Sequence, residues 1–308
     1  MIVFHSIDEL IEVKQPLHLA LGVFDGVHVG HQAVIQTAVD AAKKSGGVAG
    51  VLTFLPHPIQ VLAPDKAPKR ILASLSHKAI LLEEAGCSVM AVQEFSLDFA
   101  GRRAKDFIKN IIQSCCDLRS ISVGEDWQFG KGREGNVASL TEWGEELGFK
   151  VFAAAPVMGG GERVSSTRIR QAIRDGSLPS IQKMLGRPYM VMGEVLKGRQ
   201  LARQLGFPTA NIKVFNEQLP PDGVWSVQVR VGDVWYKGVG NLGKRPTVEN
   251  DVDAQRLLEV HVFDFEQDLY GLELAVRFEH YVRPEMKFAT IDKLKAQIVE
   301  DVKCVQAL

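Results

Sequence analysis

Hydrophobic residues in the first 185 positions come in short runs, separated by stretches in which they recur every three or four residues. "LHLALGVF", "GVAGVLTFL", "VMAVQEF", "SISVGED" and "KVFAAAPV" read as strands, and "HQAVIQ", "HKAILLEEAG", "AKDFIKNIIQ", "LTEWGEELG" and "TRIRQAIRDG" as the helices between them. Buried strands alternating with amphipathic helices form βαβ units with right-handed crossovers and a parallel sheet. The expected fold class of this half is α/β, a Rossmann-like sheet whose ligands lie beyond the carboxyl ends of its strands.

After "LGRPY" (185–189) the period changes to two. "GVWSVQVRV", a Gly232-Asp233 turn, "VWYKGVGNLG", "LLEVHVFDF" and "LELAVRFEHYV" alternate as antiparallel strands do, which predicts a small β-barrel. A last helix, "TIDKLKAQIVEDVKCVQAL", carries Ile291, Leu294, Ile298, Val302 and Val305 on one face, expected to pack on that barrel. Gly186 and Pro188 punctuate the change, so the expected domains are 1–185 and 186–308.

Composition narrows the classes. At 308 residues, 46% hydrophobic and 24% charged with net charge -1, the chain reads as an ordinary soluble globular protein of two domains. No basic excess points to nucleic acid, and no apolar run approaches the roughly 20 residues of a membrane span. "MIVFHSIDELIEVK" is too acidic and interrupted for a signal peptide, so a cytoplasmic location is expected. Cys87, Cys115, Cys116 and Cys304 have neither zinc spacing nor a disulfide framework. Small molecules are the expected partners, and self-association is left open.

The chemistry concentrates at "GVFDGVHVGH" (22–31), where a strand ends and a helix begins. Free N–H groups and the positive end of a helix dipole make such a junction an anion site, and glycines such as Gly22, Gly26 and Gly30 let the backbone come close. His28 and His31, three apart, share one helix face and can reach a single phosphate. Phe24 and Asp25 complete the turn; Asp25 either assists through its carboxylate or caps it. In "VSSTRIR" (164–170), Ser165, Ser166 and Thr167 are good N-caps whose hydroxyls, with Arg168 or Arg170, suit β- and γ-phosphates. Phe54, His57 and Pro58 in "TFLPHP", and Asp126 and Phe129 in "VGEDWQFGKGREG", supply walls for a planar ring.

In "LGFPTANI" (205–212), Thr209 and Asn211 are two apart, so on an extended segment their oxygens point the same way and suit Mg²⁺ with ATP phosphates. Alternation in "LLEVHVFDF" puts Glu259 on the face opposite Leu258 and Val260, positioned to accept an alcohol proton. Lys197, Gly198 and Arg203 in "VLKGRQLARQLG" are further candidates for contacts to phosphates.

The first two motifs resemble the H-x-G-H and I-S-S-T-x-I-R signatures of the nucleotidylyltransferase superfamily. "LGFPTANI", with "GVGNLGKRPTV" and "LEVHVFDFEQDLYG", resembles the riboflavin kinase signature. Over nearly its whole length the chain resembles the bacterial bifunctional riboflavin kinase/FAD synthetase family. The resemblance implies an N-terminal FMN adenylyltransferase domain, a C-terminal kinase making FMN, Glu259 as base, Mg²⁺ and ATP, and riboflavin, FMN and FAD as substrates or products. Val23, Trp127 and Gly240 depart from commoner family residues without removing a proposed reactive group, and Ala202 leaves the phosphate contacts of its segment open.

Overall fold

A computed structural model describes all residues except 69, 199–204, 216 and 245–255; Arg203 lies outside the described residues. The chain forms two compact units, Met1–Lys69 with Leu75–Ser166, and Arg70–Ser74 with Thr167–Leu308.

The first unit is built on six strands, β1 (Ile2–Phe4), β2 (Leu17–Leu21), β3 (Val48–Leu55), β4 (Val89–Glu94), β5 (Leu118–Gly124) and β6 (Lys150–Ala154). Their order is β1-β4-β3-β2-β5-β6, and every neighbouring pair is parallel. Helices α1 (Val29–Ser45), α2 (Pro58–Leu62), α3 (Leu75–Glu84), α4 (Leu97–Ala100), α5 (Ala104–Gln113) and α6 (Val137–Leu147) lie between the strands in sequence. The central strands are apolar on both faces, as a covered parallel sheet requires: all five residues of β2 are buried. In α1 the buried Val34, Ile35, Ala38, Val39 and Ala42 repeat at helical spacing, and Gly46, at φ 69°, stops the helix in the left-handed conformation. Strand β1 carries no alternation because it is a three-residue edge strand on which only Phe4 is buried.

A two-stranded ribbon of β7 (Met158–Gly159) and β8 (Glu162–Arg163) precedes helices α7 (Ser166–Arg174) and α8 (Leu178–Leu185). The second unit then forms a closed antiparallel barrel from β9 (Met190–Leu196), β10 (Ala210–Val214), β11 (Gly223–Val231), β12 (Val234–Lys244), β13 (Arg256–Val262) and β14 (Glu273–Arg283), in the order β10-β13-β12-β11-β14-β9. Val227, Val229, Leu242, Leu258, Val260 and Val276 are each 0% exposed and fill it. The β11–β12 hairpin closes through Gly232, at φ 60°, and Asp233, a two-residue turn that matches strand twist.

The compact units divide the chain at Ser166–Thr167, before the expected boundary at 185–188. The buried Glu217 carboxylate explains this: it accepts the N–H of Ser74 at 2.7 Å and that of Met192 at 3.1 Å, joining segment 70–74 to the barrel. Arg170 of α7 adds a bond from Nε to the Arg70 carbonyl at 3.1 Å.

The terminal helix α9 (Ile291–Ala307) packs on the barrel against β12 and β14, as expected, except at its first turn. Ile291 is 67% exposed, and the anchors are Val305 and a half-buried ion pair in which Arg283 reaches Asp301 at 2.6 and 2.8 Å. An apolar stripe specifies that a helix packs, but not that its first turn does.

Burial pushes the thiols of Cys87 and Cys115 up to about 12, while Cys116 and Cys304 are exposed. A thiol reagent at pH 8 therefore titrates two cysteines in the native protein, Cys116 and Cys304, and the remaining two only after denaturation. Four fast thiols would contradict this packing.

Candidate functional site

Strand order reverses at β2, which has β3 on one side and β5 on the other. Beyond the carboxyl ends of such a pair an open α/β sheet leaves a crevice. Residues 22–28 leave β2 at this point and enter α1. His28 is the N-cap, and its Nδ1 accepts the His31 N–H at 3.3 Å. A ring nitrogen that accepts carries no proton, so the proton of a neutral His28 sits on Nε2. The two imidazoles stack with centroids 3.6 Å apart, and Phe24 meets His31 edge-on at 5.4 Å.

Two glycines make this geometry possible. A Cβ on Gly30 would lie 3.2 Å from the His28 ring, and one on Gly22 would lie 3.0 Å from the ring of Phe24, which folds back over it. The turn is also strained. Phe24 has φ 49° and Val27 φ 39°, flanking Gly26 at 80°. A bulky or β-branched residue in this region costs on the order of 1–3 kcal/mol and persists only where its surroundings dictate it. Here Gln32 donates to the Val27 carbonyl at 2.9 Å, and the Ser166 hydroxyl to the Asp25 carbonyl at 3.1 Å. Asp25 is 4% exposed.

A cavity of about 820 Å³ opens against this turn. Gly22, Phe24, His28, Gly30 and His31 line it together with Ser165 and Ser166, so two motifs more than 130 residues apart in sequence meet at one surface. Phe54, Pro58, Asp126 and Phe129 line it as well. Its apolar wall is an aromatic cluster: Phe54 packs at 5.9 Å from Phe95 and Phe99 and 6.4 Å from Phe107, while Trp127 stacks on Phe129 at 4.1 Å. One wall is suited to phosphates and another to a flat ring system.

The remaining residues of these motifs take other places. His57 caps α2, its Nδ1 accepting the Ile59 N–H at 3.2 Å, and does not line the cavity. Thr167, Arg168 and Arg170 belong to the second unit, where Thr167 is exposed, Arg168 half-buried and Arg170 buried against the Arg70 carbonyl.

In the barrel, Asn211, Glu259 and Asn241 are register partners on the adjacent strands β10, β13 and β12. Cross-strand partners point to one face with Cβ atoms about 5 Å apart, so the three form a polar row. The row lies outside the barrel, because Ile212, Leu258 and Val260 of the alternate positions are its 0%-exposed filling. Asn211 is itself only 6% exposed, for Gly198 lies over it: a Cβ there would fall 2.2 Å from its Nδ2. A second cavity, of about 410 Å³, is lined by Thr209, Pro208, Val260, Val262 and the 265–270 loop, but not by Glu259. Lys197 approaches it from the side, with Nζ 5.9 Å from the ring of Tyr270.

Two residues passed over in the sequence bear on the first cavity, Arg163 on its lining and Lys78 behind the turn that lines it. Arg163 makes a two-pronged ion pair with Asp126, one arm at 2.9 Å. Lys78 of α3 reaches the Val23 carbonyl at 2.7 Å. Its signal was visible: a lysine sits among the buried positions His77, Leu81 and Leu82 of an amphipathic helix.

A β2–α1 turn at the switch point of a parallel sheet, followed by a barrel with a polar row, fits a nucleotide-handling chain of two modules. The family model for FAD synthetase matches residues 10–168, and that for riboflavin kinase matches 185–308. The chain is 38% identical over 284 residues to the bifunctional riboflavin kinase/FMN adenylyltransferase of Escherichia coli K12, covering 92% of this chain and 90% of that one. The protein of the same name from Haemophilus influenzae is 38% identical over 297 residues, covering 96% and 95%, and that of Bacillus subtilis 35% over 304 residues, covering 94% and 95%. The chain belongs to the bifunctional riboflavin kinase/FMN adenylyltransferase family. A crystal structure titled macrolide-efflux protein, from Streptococcus pneumoniae, shares the fold with a TM-score of 0.83 and 29% identity over 100% of this chain and 99% of that one. Among the described residues here no helix is long and apolar enough to cross a membrane.

Asp126 and Arg163 are more than half exposed, so their pair contributes at most about 1 kcal/mol. The hydrogen bond from Arg163 holds the Asp126 carboxyl below its ordinary value. A depressed carboxyl stabilises the fold above its unfolded value, about 3.9, and loses that contribution as pH falls through the folded one. In urea titrations Asp126→Asn should therefore lose less than about 1 kcal/mol at pH 7 and nothing at the acid limit. A larger loss at pH 7 would make the pair a structural keystone.

Proposed function

We propose that the barrel module transfers the γ-phosphoryl group of ATP to the 5′-hydroxyl of riboflavin, and that the α/β module transfers AMP from a second ATP to the resulting FMN. FAD and pyrophosphate are the final products. Family membership supports both activities and their order along the chain. The meeting of His28, His31, Ser165 and Ser166 on one cavity wall carries the assignment of the second step to this site.

In that step an FMN phosphate oxygen attacks the α-phosphorus of ATP, and the bond from that phosphorus to the bridging oxygen breaks as pyrophosphate leaves. No covalent intermediate on the protein is needed. The work is positioning and charge stabilisation. His28 donates from Nε2, and His31 lies stacked against it. The N-terminal N–H groups of α1 and the serine hydroxyls take the rest of the phosphate charge. The aromatic wall of Phe54, Trp127 and Phe129 suits the isoalloxazine or adenine ring.

In the kinase step Glu259 accepts the proton of the riboflavin 5′-hydroxyl and directs its oxygen at the γ-phosphorus. Thr209 and Asn211 fit Mg²⁺ by the chemistry of their donors, since both offer neutral oxygens to a hard cation. Bound there with ATP, the ion would neutralise charge on the phosphates. The cavity beside Thr209 suits the nucleotide, with Lys197 and Gly198 as the covering segment. All substrates are soluble metabolites, which fits a cytoplasmic location.

His28→Ala should lower FAD formation by about 10² to 10³, the loss typical of one preorganised donor, and leave FMN formation intact. Glu259→Gln should do the reverse, lowering riboflavin phosphorylation by about 10² to 10⁴ while FAD still forms from supplied FMN. Chromatographic separation of the flavins reads both. Equal loss of both activities in either variant would contradict separate sites. Excess EDTA should stop FMN formation, and added Mg²⁺ restore it; turnover unaffected by EDTA would remove the metal from the scheme.

A further inference from the structure

The strained turn ahead of α1 is fastened at its first residue as well as its last. The Val23 carbonyl accepts two hydrogen bonds, from the Thr53 hydroxyl at 2.9 Å and from the Lys78 ammonium at 2.7 Å. The same ammonium donates to Thr53 Oγ1 at 3.2 Å, so the three groups form a closed triangle joining α3, the end of β3 and the start of the turn. Phe24 and Val27, which follow at positive φ, are each 1% exposed. Val23 is held at one end of the turn by Thr53 and Lys78, and the Val27 carbonyl at the other by Gln32.

Lysine is an unexpected choice for such a tether. The position is 7% exposed and on the apolar face of α3 beside Leu81 and Leu82. A hydroxyl or an amide could hold a carbonyl there without burying a charge. Burial lowers the Lys78 ammonium to about 8, and the 4%-exposed Asp25 in the turn itself acts in the opposite direction. At neutral pH the side chain is therefore mainly charged. It places a fixed cation behind the turn whose front faces the cavity.

We propose that Lys78 is a positioning residue for adenylyl transfer, holding the Val23 carbonyl so that the 24–27 turn presents His28 and the N-terminus of α1 in reactive geometry. This rests on the assignment of adenylyl transfer to the His28 and His31 cavity. Lys78 does not line that cavity, so it acts through the turn and not on substrate. A displaced turn leaves ATP able to bind but misaligned. The loss then falls on turnover more than on KM, and a shift of about 1 Å is enough for a hundredfold effect.

The test is steady-state kinetics on the full chain with FMN and ATP, alongside riboflavin phosphorylation by the same preparations. Lys78→Met should lower kcat for FAD formation by about 10², change the KM for ATP less than fivefold, and leave riboflavin phosphorylation within twofold. Lys78→Arg, which keeps the charge and the donors, should recover at least tenfold of the lost kcat. Thr53→Val keeps the lysine, removes one donor to the same carbonyl together with one acceptor of the Lys78 ammonium, and should lower kcat for FAD formation at least fivefold; it decides the matter if the methionine variant does not fold. A kcat unchanged in Lys78→Met or, failing that, in Thr53→Val overturns the proposal, as does a loss confined to KM. Wild-type chain that forms no FAD would instead overturn the functional assignment beneath it.

Discussion

A phosphate leaving water for the end of a parallel sheet must find donors that already point at it, because reorganising them during the reaction would cost what they gain. Under the proposed assignment, that requirement falls in this chain on seven residues between β2 and α1. They must reverse direction at the switch point, expose N–H groups, and bring two imidazoles onto one face. The path they take passes through the left-handed region at Phe24, Gly26 and Val27. The rest of the α/β module supports this path. β3 supplies Thr53, α3 supplies Lys78, α1 supplies Gln32, and the second motif supplies Ser166, each to a carbonyl of the turn. A loop strained locally is made rigid by several elements at once, as preorganised sites need.

The barrel solves a related problem with a different backbone. Its interior is filled by branched side chains, so chemistry is confined to the outer face and the mouth. Register then does what a turn does in the other module: Asn211, Glu259 and Asn241 are aligned because three strands pair in one specific alignment, and a one-residue slip would send them all inward. Asn241 is in turn held by Glu285 at 3.3 Å, at the beginning of the segment that leads to α9. The ion pair between Arg283 and Asp301 fixes that helix against the barrel close by.

Much of this was legible in the sequence because the signals were periodic or spaced. Apolar runs of the right length gave β2 to β6, alternation gave β11 to β14, and two motifs far apart in sequence meet on one cavity wall. What escaped was set by tertiary context. β1 is too short to alternate, and β9 and β10 were not distinguished as strands because the turn chemistry around them is irregular. Lys78 read as one residue of a helix, since the carbonyl it serves lies 55 positions away. Arg163 sits on a two-residue strand whose pattern says nothing about Asp126. His57 looked like a ring-binding residue and is a helix cap, a role that a histidine flanked by prolines serves equally well. Ile291 shows the converse error, an apolar residue in perfect helical phase that the barrel does not cover.

The central claim is that the two modules attack ATP at opposite ends of its triphosphate. The most direct measurement gives the purified chain riboflavin with ATP labelled either at the α- or at the γ-phosphorus and follows the label into the separated flavins. The account predicts γ-label in both FMN and FAD, and α-label in FAD alone. Label from the α-position in FMN, or FAD that carries no α-label, would contradict it.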